Sequence, residues 1–204
     1  MRAVLGIGNP GAQYADTKHN AGFIILDHFA EKHNLVFKPS KGEYYFAEGN
    51  LDSVPYILIK PTTYVNLSGH AALDIINKYS LSPSDLLVIV DDLHLNLGAY
   101  RIRKNGGSGG HNGLESIIYE LRTDNFPRLR FGIGNNFSEG AQIHYVLSKF
   151  TSEEFDIINS KINLVTELIE KFIEGGVQFM LDYNSKISQT INLEVPPNKN
   201  NKKE

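Results

Sequence analysis

The sequence predicts one α/β domain, built on a twisted, mostly parallel but mixed sheet with helices on both faces. Three observations lead there. Six short apolar runs rich in Val, Ile, Leu, Tyr and Phe are bounded by Gly, Pro, Asn or Asp, as strands are. Between them lie stretches whose apolar residues recur every three or four positions, the spacing of an amphipathic helix. Strands interleaved with helices pack as α/β layers. The length of 204 residues suits one such unit, since folded domains commonly hold ~100–200 residues.

The strand runs cover residues 3–8, 44–48, 56–60, 86–91, 99–103 and 129–134. Asn20 can cap a first helix reaching about residue 34, with Gly22, Ile25, Leu26 and Phe29 on one face. A second helix uses Leu67, Ala71, Ala72, Ile75, Ile76 and Tyr79, and a third uses Leu114, Ile117, Ile118 and Leu121. The longest opens at Thr151, where Thr151 and Glu154 form a capping-box pattern, and is expected to stop at Gly175-Gly176. The domain is therefore placed at residues 1–185. Residues 186–204 turn polar and read as a flexible C-terminal tail.

Composition narrows the class. A hydrophobic share of 41% and a charged share of 21% are ordinary for a globular chain. No stretch approaches the ~18 unbroken apolar residues of a membrane span. Met1-Arg2 leads directly into a strand without an export signal, and the chain has no cysteine, so a cytoplasmic location with no membrane partner is expected. The net charge of −3 gives no global attraction to nucleic acid.

Gly6-Ile7-Gly8-Asn9-Pro10-Gly11 spells the G-x-G-x-x-G of a dinucleotide site. Such a site needs a helix opening at the loop and an acid ~20 residues on at the end of the next strand. Here the helix pattern begins only at Asn20, and Glu31 lies within it. Pro10 also lacks an N–H to offer a phosphate. A structural turn explains the glycines better, and no cofactor is expected. Asn9, Tyr14 and His19 nevertheless gather beside this strand's C-terminal end, where open α/β sheets place ligands.

Other polar residues collect at comparable ends. Tyr64 and Asn66 follow one strand, and Asp91-Asp92 ends the most apolar one. Adjacent strand residues point to opposite faces, so only one acid is expected to face a site, and Asp91 is the choice. The run Asn105-Gly106-Gly107-Ser108-Gly109-Gly110 delivers His111 and Asn112 to a helix start, as a loop in close contact with a ligand would.

Together, Gly6-x-Gly8-Asn9-Pro10-Gly11 with Tyr14, Lys18-His19-Asn20-Ala21-Gly22, Lys60-Pro61-Thr62-x-x-x-Asn66-Leu67-Ser68-Gly69, Gly109-Gly110-His111-Asn112-Gly113-Leu114 and Arg128-Leu129-Arg130-x-Gly132-Ile133-Gly134 resemble the bacterial peptidyl-tRNA hydrolase family. The resemblance is collinear from Met1 to about Gly176. It implies hydrolysis of the ester between a peptide and tRNA, which frees tRNA from stalled or dropped-off translation products. It further implies His19 as base and Asp91 as its partner, with no metal. Asn9, Asn66 and Asn112 match the family's substrate-positioning asparagines, and Tyr14, Tyr64 and His111 are expected beside them. The chain is expected to act as a monomer whose partner is the acceptor end of peptidyl-tRNA.

Three departures stand out. Val65 occupies a position where many relatives carry methionine, His94 one often held by an acid, and Arg101 and Arg103 replace lysines. Between residues 101 and 130 six basic side chains face three acidic ones, against the acidic average of the chain. Arg101 with Arg103, and Arg128 with Arg130, alternate on single strand faces and could grip phosphates. By resemblance Arg103 and Arg130 match a pair that clamps the tRNA 5′-phosphate, with Arg101 beside them. Two rival readings remain at this point: a metal-dependent esterase using His19, Asp91, Asp92, His94 and His111, and a non-catalytic RNA-binding module.

Overall fold

The computed structural model describes residues 1–194. Seven strands, β1 (Arg2–Gly6), β2 (Lys38–Pro39), β3 (Tyr44–Leu51), β4 (Val54–Pro61), β5 (Leu86–Asp92), β6 (Tyr100–Arg103) and β7 (Arg128–Gly132), form one sheet in the order β2-β3-β4-β1-β5-β7-β6. β4, β1, β5 and β7 are mutually parallel, while β3 and β2 extend one side and β6 the other in antiparallel fashion. The helices are α1 (Ala21–Lys32), α2 (Ser68–Tyr79), α3 (Asn112–Leu121), α4 (Gln142–Leu147) and α5 (Ser152–Glu194).

Strand alternation divides the core in two. Val4, Leu58, Leu87, Ile89, Leu129 and Phe131 face one side and pack with Ile25, Leu26 and Phe29 of α1 and with Ile158, Ile162, Val165 and Ile169 of α5. Their neighbours Ala3, Leu5, Ile57, Ile59, Leu86, Val88 and Val90 face the other side and pack with Ala71, Ala72 and Ile75 of α2 and Leu114 and Ile117 of α3. Parallel strands covered on both faces are apolar at every position, which is why residues 86–90 read as an unbroken apolar run.

The glycines of the opening motif serve close packing. A Cβ on Gly6 would lie 2.5 Å from the Gly22 carbonyl oxygen, and one on Gly22 would lie 2.6 Å from the Ile7 main chain and 2.7 Å from Ile89 O. The start of α1 therefore sits directly on β1 and β5, and it carries the residues before it to the strand ends.

Three elements depart from expectation. β2 and α4 have no counterpart in the sequence reading: the first is two exposed residues, and the second is six residues, none fully buried, that rest Tyr145 and Val146 on the core. The long helix does break at Gly176, whose φ of 75° and ψ of −170° belong to a region essentially restricted to glycine. It then resumes, running through residue 185 to Glu194. The last part of the expected tail, residues 195–204, lies outside the described residues. No helix among the described residues is long and apolar enough to cross a membrane.

Candidate active site

His19 stands on a 3-10 turn, Lys18–Asn20, that leads into α1. Thr17 Oγ1 donates to Tyr14 O at 2.8 Å and Asn20 N to Thr17 O at 2.9 Å, closing the turn. Asn20, expected as a helix cap, makes no side-chain cap bond. Its amide instead clamps the main chain of Asn9: Asn9 N donates to Asn20 Oδ1 at 2.8 Å, and Asn20 Nδ2 donates to Asn9 O at 2.9 Å. Asn9 Oδ1 accepts from Val65 N at 3.1 Å, which leaves its Nδ2 without a partner among the described residues. Val65 thus reaches the site through its backbone, and its side chain is buried.

The two acids at the end of β5 part company. Asp91 Oδ1 meets His19 Nδ1 at 2.9 Å and His111 Nε2 at 2.9 Å. Asp92 turns to the opposite face, where its Oδ2 accepts from Arg130 Nε at 2.6 Å and its Oδ1 from His94 N at 2.8 Å. Asp91 and His111 are nearly closed off, with side-chain exposures of 3% and 9%, while His19 keeps 14%. The imidazole ring centres of His19 and His111 lie 5.1 Å apart, with the ring planes tilted by 47°.

Hydrogen bonding fixes the roles of the ring nitrogens. His111 Nδ1 accepts from Gly113 N at 3.1 Å and Leu114 N at 3.4 Å, capping α3. Its proton must then sit on Nε2, pointed at Asp91. Expected among the substrate contacts, His111 therefore has both nitrogens engaged within the protein, and its effect falls on Asp91. His19 binds the same oxygen through Nδ1, and its Nε2 faces the cleft without a partner among the described residues. Burial pulls the His19 pKa down, but the Asp91 charge and hydrogen bond outweigh it and raise it above the usual histidine value. Burial likewise pushes Asp91 up, and the two histidines more than reverse this, holding it well below the carboxylate range.

His19, Asp91 and His111 bring three potential metal-ligand atoms within 4.8 Å of one another. The tautomer of His111 opposes coordination, because Nε2 carries a proton and Nδ1 already faces two amide hydrogens. Asp92 is engaged by Arg130 Nε and by the backbone N of His94. Of the five residues that a metal-dependent esterase would use, His19, Asp91 and His111 are the ones that come together.

The cleft is bounded by His19, Asp91, Asp92, His94, Gly109, Gly110, His111, Asn112 and Arg130, with Gln142, Ile143 and Val146 of α4 as its far wall. That wall had no sequence signal. Asn112 also borders a shallow groove shared with Asn66, Ser116 and Tyr119. Asn9 and Asn20 border a third depression with Phe23, Tyr45 and Lys60. Tyr14 and the exposed Tyr64 pack edge-to-face at 6.4 Å. Of the three asparagines, Asn112 lines this cleft, Asn66 borders the groove that shares Asn112 with it, and Asn9 borders the third depression.

On the basic side, Arg101 pairs with Arg130 and Arg103 with Arg128 across β6 and β7, so all four share a face. Arg101 and Arg103 are exposed. Arg128 is not available to a ligand: it is buried and bound to the carbonyls of Gly106, Gly107, Asp124 and Phe126. Arg130 holds Asp92 through Nε and approaches Ser108 O at 3.4 Å through Nη1.

A histidine held by a carboxylate at the C-terminal end of a parallel strand, with amide groups nearby, is the arrangement of a hydrolytic α/β protein. A family model described as peptidyl-tRNA hydrolase matches residues 3–191. A peptidyl-tRNA hydrolase of Thermodesulfovibrio yellowstonii is 43% identical over 189 residues, 92% of this chain and 100% of the relative. One from Chloroflexus aurantiacus is 41% identical over 178 residues, 87% and 95% of the two chains. The crystal structure of peptidyl-tRNA hydrolase from Acinetobacter baumannii superimposes with a TM-score of 0.81 at 32% identity, covering 94% of this chain and 93% of that one. The chain belongs to the peptidyl-tRNA hydrolase family.

Proposed function

We propose that this enzyme hydrolyses the ester of peptidyl-tRNA with His19 as general base. The observation that carries the reading is the bond from His19 Nδ1 to Asp91 Oδ1, which leaves Nε2 basic and open to the cleft. Water gives a proton to Nε2 as its oxygen attacks the ester carbonyl carbon. Asp91 stabilises the imidazolium that forms, as a buried carboxylate does behind a histidine base. The tetrahedral intermediate then collapses, the bond from carbon to the ribose oxygen breaks, and His19 returns the proton to that oxygen. The products are a peptide carboxylate and free tRNA.

Asn9, with only Nδ2 free, acts as a hydrogen-bond donor, suited to a carbonyl oxygen that gains charge. Asn112 and Asn66 can both donate and accept, which suits a peptide main chain or the attacking water. Tyr14 and Tyr64 offer an aromatic edge to the bound substrate. Arg101 and Arg103 meet tRNA phosphates, and Arg130 closes the clamp by its Nη groups. The enzyme is proposed to work as a monomer in the cytoplasm, where its substrate arises.

Purified protein should release free tRNA from N-acetylaminoacyl-tRNA. The His19→Ala variant should bind substrate yet lose about 10²–10⁴-fold in kcat, the span of a general base. Turnover within a few-fold of wild type would remove His19 from the mechanism.

A further inference from the structure

Lys18 is a buried ammonium that the proposed mechanism does not use. Its side chain is only 4% exposed, although a charge this enclosed is costly unless paired. The Nζ donates to Glu154 Oε2 at 2.7 Å and to Lys149 O at 3.1 Å. It lies 5.0 Å from the ring centre of Tyr145 and 4.9 Å from that of Phe150, within cation–π range of both. One side chain thereby joins the turn before α1 to α4, to the linker after it and to the first turn of α5.

The residue it anchors from is the neighbour of His19. The surrounding chain, residues 15–20, belongs to no strand of the sheet. It is held by a seam of main-chain bonds: Lys18 N to Ser148 O at 3.0 Å, Phe150 N to Asp16 O at 3.0 Å, and an isolated bridge between Thr17 and Lys149. Glu154 is itself fixed, because Oε2 also accepts from Thr151 N at 2.9 Å while Glu154 N donates to Thr151 Oγ1 at 3.2 Å. The capping box of α5 is thus a fixed post, and among the described residues only Lys18 ties the turn carrying His19 to it by a side-chain hydrogen bond.

We infer that Lys18 is a positioning residue: through Glu154 it sets the 3-10 turn so that His19 Nδ1 stays on Asp91 while Nε2 addresses the ester. This rests on the reading of His19 as base. Freed from the post, the turn can drift, and displacements on the order of 1 Å at a reacting group cost up to about a hundredfold in rate.

The test compares Lys18→Met, Lys18→Arg, Glu154→Gln and the Met/Gln double variant in the full chain. Peptidyl-tRNA hydrolysis is followed well below each melting temperature. Lys18→Met should lower kcat by about tenfold to a hundredfold with KM unchanged. Glu154→Gln, which keeps an acceptor for Thr151 N, should lower kcat in the same direction, and the double variant should be no worse than the worse single. Lys18→Arg should recover most of the rate. Asp16→Asn removes the exposed pair with Lys149 on the same seam and should leave kcat unchanged.

Variants that melt earlier but turn over at the wild-type kcat would overturn the inference and leave the pair a purely structural one. If Lys18→Met does not fold, a wild-type kcat in Glu154→Gln overturns it equally. His19→Ala, run alongside, separates the two failures. An active His19→Ala removes the base and this inference with it, whereas an inactive one beside an unimpaired Lys18→Met removes the positioning role alone.

Discussion

Replacing Asp91 by Asn removes one charge and almost no volume. With Nδ1 of His19 2.9 Å from Oδ1, the centres of the two charges lie roughly 4 Å apart once the imidazolium forms, an attraction of ~4 kcal/mol at an effective dielectric of ~20. The amide oxygen can still accept the hydrogen bond and keeps part of this. A loss of ~2–4 kcal/mol at the transition state, at ~1.4 kcal/mol per factor of ten, lowers kcat by roughly 30-fold to 1,000-fold. KM should hardly move, since Asp91 is sealed beneath the histidines.

The pH profile adds a signed check. The base must be neutral, so wild-type kcat/KM should rise with pH through the His19 pKa, which lies above the ordinary ~6.5. In Asp91→Asn burial is no longer opposed by the carboxylate, and the acid limb should move to lower pH. Steady-state release of tRNA across pH measures both effects. A kcat within about threefold of wild type, with the limb unmoved, would refute the electrostatic role given to Asp91.

Four further outcomes follow from the geometry. Arg103→Ala should raise KM for full-length peptidyl-tRNA and reduce the log–log salt slope of binding by roughly 0.7–0.9, while a short peptidyl ester of a CCA-end fragment should be unaffected. Arg130→Ala also releases Asp92 and the glycine loop, so it should impair both substrates. Gly22→Ala should cost at least ~3 kcal/mol in denaturant melts, because the new Cβ meets the backbone of Ile7 and Ile89 and a helix-propensity gain of ~1 kcal/mol cannot offset that overlap. Activity should persist in saturating chelator, and loss restored by added metal would revive coordination by His19, Asp91 and His111.

Much of the fold could be read in advance because the central strands are covered on both sides. Burial then makes every position apolar, and helix faces repeat at three and four residues. β2 and α4 escaped because neither has a buried face long enough to show a period. Gly175-Gly176 reads as a stop in the sequence, yet a glycine in this conformation redirects a helix as readily as it ends one. Nothing local in the sequence distinguishes the two.

The site was legible where chemistry is carried by residue type at a strand end, as with His19 and Asp91. It was illegible where long-range contact decides. Asn20 sits where a helix cap belongs, and only the fold brings it onto Asn9, eleven residues back. Arg128 and Arg130 look equivalent in the sequence, but the glycine loop folds over one and consumes its donors. Lys18 reads as a surface cation until α5, more than a hundred residues later, closes over it.

The sheet ends on both sides in very short strands, β2 with Lys38 and Pro39, and β6 with Arg101 and Arg103. An open strand offers unpaired amides and carbonyls to any similar strand, and brevity, proline and like charge all discourage that union. The second stretch of α5 adds a brace at β6, through Tyr100 Oη to Asn184 Oδ1 and Lys104 Nζ to Gln178 Oε1, each at 2.7 Å. The like charge of the arginines proposed to meet RNA is also a feature that works against edge-to-edge pairing of identical strands. Variants that neutralise them are expected to lower solubility along with affinity, and the loss of one can be mistaken for the loss of the other unless light scattering accompanies every binding curve.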